Sequence, residues 1–429
     1  MLANPSHHHR NRDVLVTIND PFHALSDSLA NLTLTTITTS LPGLPTSQTQ
    51  SQNKPSKPPP DSHALPTNAN PRSDLVTVTP LFPPGDNVIF AHSSFFRRLY
   101  NPPTGTPELP TPAQVRDEAA RLGLTITAEG SDDDARLVPF PALGLLVKFG
   151  PEERALRGND GASAVGGGVS AAEGKAMMLL GRALPSLLSC AGSGNGLPVP
   201  VPQVFGWRRD AGTGERFVYM DMPEGEVLEE RWGWMSEAER EGVCTQLREL
   251  ARAWRRLRFG DVGFVGSVDN GPLQDEVFRG CRMAGALPPG PFPTSAAFHD
   301  YFVSMAVTMS QSRQLGARVG QLRYTPHHLF PSDVPVVFTH GALHPRNIIV
   351  SAGPNPRIVS ILGWEQAGWY PAYWELCKAR RECSRRGGRD EWESRYLPVI
   401  LDVQDLSVEM CGWNVGALCQ YWDYFVSLM

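Results

Sequence analysis

The chain has 429 residues, with 39 basic against 44 acidic side chains and a formal net charge of −5. That balance implies no general attraction to polyanions, so no nucleic-acid partner is expected. Its seven cysteines are an odd number without a CxxC pair, which argues against a disulfide framework or a zinc ribbon. No apolar run approaches the ~20 residues needed to span a bilayer, and the N-terminus lacks the apolar core of a secretory signal. A soluble, cytoplasmic protein without membrane contact is the expectation.

Residues 1–85 are poor in large apolar side chains and rich in Ser, Thr, Pro and Asn. They read as a disordered tail, because they bury too little surface to offset the entropy of ordering. The tract His7 to His9 reads as part of that tail rather than as a metal site. Order is expected from Val88. Thr111-Pro112 opens a helix with Val115, Ala119 and Leu122 on one face, closed by Gly123.

Residues 137–150 read as two short strands around Pro141, the second an apolar strand carrying Lys148. A Gly-rich insert follows, placed as a linker rather than a phosphate loop. Then comes a helix from Ala171 with Glu173 near its start. Phe217 to Met220 reads as a buried strand ending in a polar turn, Asp221-Met222-Pro223-Glu224. Ser236 and Glu239 form a capping box, and Val243, Leu247, Leu250, Ala251, Trp254 and Leu257 recur at helical spacing as a core stripe. Phe298, Phe302, Met305 and Met309 mark another amphipathic helix.

Two apolar runs, Val334–Phe338 and Ile348–Val350, flank the loop Thr339-His-Gly-Ala-Leu-His-Pro-Arg-Asn347. Arg357–Leu362 pairs back and ends on Gly363-Trp364-Glu365. A helix is expected from Trp374, and a helical, aromatic-rich segment from Trp392 to the last residue. The arginines at 380, 381, 385, 386 and 389 read as a solvated helix end and loop.

A loop of the form His-Gly-Asp-x-x-x-x-Asn, with an Asp at the end of the following strand, serves phosphoryl transfer in kinase-like enzymes. Here Ala342 and Gly363 stand at the two acidic positions. The motifs, together with Lys148, Glu173, residues 201–204 and residues 220–225, resemble the fungal branch of the aminoglycoside phosphotransferase and choline-kinase-like superfamily, over about residues 88–425. That resemblance implies an α+β, bilobal, protein-kinase-like fold. A small antiparallel-sheet N-lobe would span 88–222 and a mainly helical C-lobe 223–429.

The resemblance also implies roles by position. Lys148 would hold ATP phosphates and Glu173 would orient it. The backbone of Met220, Asp221 and Met222 would meet the adenine. His340 would be the structural histidine of the loop, and Asn347 a magnesium ligand. Ala342 accepts no proton and Gly363 offers no ligand atom, so Mg2+ binding is not expected, whereas ATP remains a candidate cofactor. Glu365 is the surrogate metal ligand to consider, because two residues along a strand it would face the same side as Gly363. His344 is expected to shape the loop. Arg346 is a candidate for a phosphate or for a carboxylate in the lobe. The expected function is that of a pseudokinase acting through a small-molecule, nucleotide or protein partner. The alternatives are an active small-molecule phosphotransferase using Glu365 with Asn347, or other chemistry in the same cleft.

Overall fold

The computed structural model describes residues 76–78, 82–99, 108–124, 135–151, 169–190, 200–260, 263–278, 288–312, 329–385, 391–410 and 413–429. The tail as far as residue 75, the His tract and the Gly-rich insert up to residue 168 lie outside them, as do Arg386 and Arg389.

The first described strand, β1 (Val76–Val78), falls inside the stretch expected to be disordered. It pairs in parallel with Leu257–Phe259, so a short β-branched run finds order through a distant partner. Residues 82–87 are also described, and Trp207 Nε1 donates to the carbonyl of Gly85 at 3.1 Å. Within the described part, the boundary at 85 is therefore too late.

The N-lobe is a five-stranded antiparallel sheet. Its strands are β2 (Val88–Ile89), β3 (Arg136–Phe140), β4 (Leu145–Pro151), β5 (Val204–Arg209) and β6 (Glu215–Asp221), in the order β2-β5-β6-β4-β3. Strand periodicity decides what each face carries. Leu145, Val147 and Phe149 alternate onto a cluster with Phe95 of α1 (Ser94–Leu99) and Val115 of α2 (Pro112–Arg121). Thr111 caps α2 in a reciprocal box with Gln114. Leu146, and with it Lys148, turns to the other face, where α3 (Ala171–Cys190) packs through Met177, Leu180 and Leu184. The register Lys148↔Val218 then fixes the lysine near the centre of the sheet.

The C-lobe begins with α4 (Leu228–Trp232) and α5 (Glu237–Arg255). Ser236 and Glu239 form the expected capping box, worth about 1 kcal/mol. The predicted stripe is buried from Val243 to Trp254 on α5, whereas Leu257, also buried, lies past the helix in the strand that pairs with β1. Helices α6 (Ser295–Ser312), α7 (Trp374–Arg385) and α8 (Val415–Leu428) surround an aromatic centre in which Trp374 meets Phe278, Phe298, Phe302 and Trp422 at 5.2–6.0 Å.

Two three-stranded sheets position the loop. In one, Ile348–Val350 pairs with Ile358–Ile361, as expected, and with Glu226–Val227 just past the end of the N-lobe sheet. In the other, Val336–Thr339 pairs with Gly368–Pro371, which pairs in turn with Gly266–Ser267. Gly266 and Ser267 thus pair with strand 368–371, and Val265 bridges to Phe292.

Candidate functional site

The site lies where β4, α3 and the 339–347 loop converge. Lys148 is 8% exposed and Glu173 2%. Lys148 Nζ sits 2.9 Å from Glu173 Oε2 and 3.0 Å from Glu365 Oε2. Burial opposes the lysine's charge, but the two carboxylates outweigh it and hold its pKa above the usual range. Glu365 is held below the usual carboxylate range: burial pushes it up, and Lys148 overcomes this. Burial raises Glu173, and the nearby Glu365 charge adds to that. The lysine is thus already satisfied by two acids.

Glu365 reaches Lys148 because the chain does not continue as a strand after Ile361. Gly363 adopts φ +80°, ψ 41° and caps a 3-10 turn, Trp364–Gln366. The strand-parity argument that placed Glu365 on the side of Gly363 therefore fails. The left-handed residue redirects the carboxylate toward the N-lobe.

The loop is held from beneath. His340 is fully buried, and its Nδ1 accepts from the Ala342 backbone N–H at 3.0 Å. That leaves Nε2 protonated, donating to the Leu362 carbonyl at 2.9 Å. Burial pushes its pKa down to about 4, so the ring is neutral near pH 7. The backbone N–H groups of His340 and Gly341 donate to the two oxygens of Glu375, at 2.6 and 3.1 Å. Burial pushes Glu375 up to about 7, against those two bonds. Below it, Lys378 Nζ donates to Asp275, Glu276 and Gln366 at 2.9–3.1 Å, and Trp374 Nε1 donates to Asp275 at 2.8 Å.

Asn347 turns inward. Its Nδ2 donates to the Ala342 carbonyl at 2.7 Å. The amide also lies across Gly363: a β-carbon built there would fall 2.7 Å from Asn347 Nδ2. His344 caps the short turn Pro345–Asn347, accepting the Arg346 N–H at Nδ1, 3.3 Å away. This is the loop-shaping contact expected of it. Arg346 pairs with Glu382 of α7 at 2.9 Å, the lobe carboxylate among its two candidate partners.

At the end of β6 the backbone donors are engaged. Asp221 N–H donates to the Gln203 carbonyl at 2.8 Å and Met222 N–H to that of Gly144 at 3.2 Å. Pro223 has no N–H. Met220 is buried in the main core, and the Asp221 carboxylate pairs with Arg98 at 3.1 Å.

Residues 191–398 match the model of the phosphotransferase enzyme family. Over those residues the chain is similar to that family. No curated protein matches it. Among solved structures, an aminoglycoside-3'-phosphotransferase of type VIII is 14% identical, covers 73% of this chain and 99% of its own, and has a TM-score of 0.35. An aminoglycoside phosphotransferase from Streptomyces rimosus, in complex with ADP and streptomycin, is 12% identical over 72% of this chain and 97% of its own, with a TM-score of 0.34. Superpositions this loose carry no argument about ligands.

The family frame implies a magnesium ion, and the residues present do not fit one. Gly363 has no side-chain donor atom. Asn347 donates its amide N–H to the Ala342 carbonyl and could offer only its single, neutral Oδ1. Glu365 is committed to Lys148. Among the described residues no group of three His, Cys, Asp or Glu side chains could hold a metal.

Lys148, Glu173, His340, Asn347 and Gly363 were expected at one site from sequence, and the structure gathers them there. Glu375, Asp275 and Lys378 were not expected. Glu375 carries a usable signal: an acid in the first turn of an otherwise apolar helix start, just after the Trp-Tyr-Pro flank.

Proposed function

We infer that this phosphotransferase-family protein is a pseudokinase. It lacks efficient phosphoryl transfer and acts by binding a ligand or a partner in the cleft. The observation that carries the reading is the packing at Gly363. The space where an acidic side chain would start is occupied by Asn347, whose amide is bonded to Ala342. General-base help is worth ~10²–10⁴-fold in rate, and a metal adds several kcal/mol of charge stabilisation. Ala342 and Gly363 supply neither.

A nucleotide would meet a lysine already neutralised by two carboxylates and a segment at the end of β6 whose Asp221 and Met222 donors are engaged. Anchoring through magnesium plays no part in this reading. A cytoplasmic setting belongs to it too, supported by the free thiols of Cys244, Cys377 and Cys419. None of the described helices is long and apolar enough to cross a membrane.

The test is thermal unfolding with ATP, with and without magnesium, beside an ATP-hydrolysis assay. A ligand that binds only the folded state raises the transition by mass action. The expected result is a shift, large or small, that magnesium leaves unchanged, with no hydrolysis above the buffer. Magnesium-dependent stabilisation, or hydrolysis abolished by Glu365→Gln, would sink the proposal.

A further inference from the structure

Away from the cleft, two cysteines meet across packed helices. Cys377 lies in the second turn of α7 and Cys419 in the second turn of α8, both essentially fully buried. Their sulfurs are 3.5 Å apart, in a contact whose residues are 42 apart in sequence. Buried cysteines commonly act as small apolar groups, and a pair lined only by aliphatic side chains would need no further account. This pair has a cation beside it. Arg380 stands three residues after Cys377 and Asp423 four after Cys419, so helical spacing puts both over the sulfurs. The guanidinium lies 4.0 Å from the Asp423 carboxylate and 3.3 Å from Glu393. Arg380 is 24% exposed at its side chain and Asp423 45%. The cover between the thiols and solvent is therefore a polar, partly open ion pair.

We propose that Cys377 and Cys419 form a reversible dithiol–disulfide site, oxidised by hydrogen peroxide, that staples α8 to α7. The reaction balances with peroxide as the only co-reactant. The Cys419 sulfur, as thiolate, attacks one peroxide oxygen. The O–O bond breaks, and the departing hydroxide takes up the proton that Cys419 released on ionising and leaves as water. The Cys377 sulfur then attacks the resulting sulfenic sulfur. The S–O bond breaks, the S–S bond forms, and the Cys377 proton leaves with the second water. Two thiols are oxidised, and one peroxide is reduced to two waters.

The roles are asymmetric. Cys419 is held below the usual thiol range, first by the hydrogen bond from Cys377 and then by Arg380, against burial. Burial holds Cys377 well above that range. The thiolate is the nucleophile, so Cys419 attacks and Cys377 resolves. Closing the bond requires the sulfurs to approach by about 1.5 Å, to the ~2.05 Å of a disulfide. The staple would fix the helix whose first turn carries Glu375, the residue that holds the His340 and Gly341 N–H groups. This proposal does not depend on whether the cleft is catalytic.

The test uses the full chain, reduced, desalted and treated with hydrogen peroxide, then alkylated and mapped by mass spectrometry. A peptide cross-linked between Cys377 and Cys419 is expected, about 2 Da lighter than the two thiol peptides together and lost on treatment with dithiothreitol. The oxidised sample should also unfold at a higher temperature than the reduced one, because the bond closes a long loop. In Cys377→Ser, a dimedone adduct at Cys419 is expected; in Cys419→Ser, no adduct at Cys377. Two thiols that remain fully alkylatable after peroxide, or that link to other cysteines instead, would overturn the proposal. Mapping the unmodified protein separates these outcomes even if either serine variant fails to fold.

Discussion

A β-carbon on Gly363 would fall 2.7 Å from Asn347 Nδ2 and 2.9 Å from Asn347 Cγ. Gly363 also has φ +80°. The two facts act together. The backbone sits where an L side chain costs about 1–2 kcal/mol, and the neighbour occupies the exit. Gly363→Ala should therefore destabilise the protein by about 1–3 kcal/mol in urea unfolding. A Gly363→Asp change made on top of Ala342→Asp should carry the same penalty. Equal stability of Gly363→Ala and the unmodified chain would show that Asn347 yields freely.

Lys148 holds two acids. Removing it leaves both carboxylates buried without their cation, so Lys148→Met should cost about 3–5 kcal/mol. Glu365→Gln should cost far less, since Lys148 keeps Glu173 at 2.9 Å and Glu365 is the more exposed acid at 28%. The order of urea midpoints, Glu365→Gln well above Lys148→Met, checks this. A Glu365→Gln variant as damaged as Lys148→Met would mean that the lysine depends mainly on Glu365.

Two buried histidines should stay neutral far below the usual range. His340 is pushed down to about 4 and His299 to about 3, in each case chiefly by burial. The unfolded chain binds these protons near 6.5 and the folded chain does not, so below 6.5 the unfolded state holds more protons. Their contribution to stability is full above pH 6.5 and is lost as pH falls toward 4 and 3. Histidine NMR should show two rings that do not titrate between pH 5 and 8.

Glu375 acts with the opposite sign. Its folded pKa lies near 7, above the 4.5 of the unfolded chain. The folded state then binds the extra proton, so this contribution is full below 4.5 and is lost as pH rises through 7. Between 4.5 and 6.5 it offsets the histidines. Glu375→Gln removes the offset, and its stability should climb more steeply with pH across that window than that of the unmodified chain. Parallel profiles in urea titrations would count against the assignment.

Arg346 is a structural partner of Glu382 in this geometry. Arg346→Ala should lower stability by about 1 kcal/mol, in keeping with a partly exposed pair. It should leave any ATP-induced thermal shift unchanged. A weakened shift would return Arg346 to the cleft.

Much of the fold was legible because its signals are local. The Ser236–Glu239 box, the helix opening at Thr111-Pro112 and the stripe from Val243 to Trp254 are set by spacings of a few residues, and each appears where the spacing puts it; Leu257, expected on the same stripe, lies instead in the strand that pairs with β1. The Lys148–Glu173 pair was legible only through family resemblance, since 25 positions separate the two and no periodicity links them. The order of Val76–Val78 was not legible, because a three-residue strand gains stability only from Leu257–Phe259, far along the chain. Nor was the role of Glu375, whose donors lie in a loop 34 and 35 residues earlier.

For this protein the sequence alone determined which side chains stand at the two acidic positions, Ala342 and Gly363. No folding can restore a carboxylate that the chain does not encode. The tertiary structure decided what surrounds them. A left-handed glycine turned the chain into a 3-10 turn, and that turn carried Glu365 to Lys148 instead of to a metal position. The same glycine, lacking a side chain, let Asn347 close over the gap. Both outcomes depend on backbone direction and on contacts between distant segments, which residue spacing does not encode.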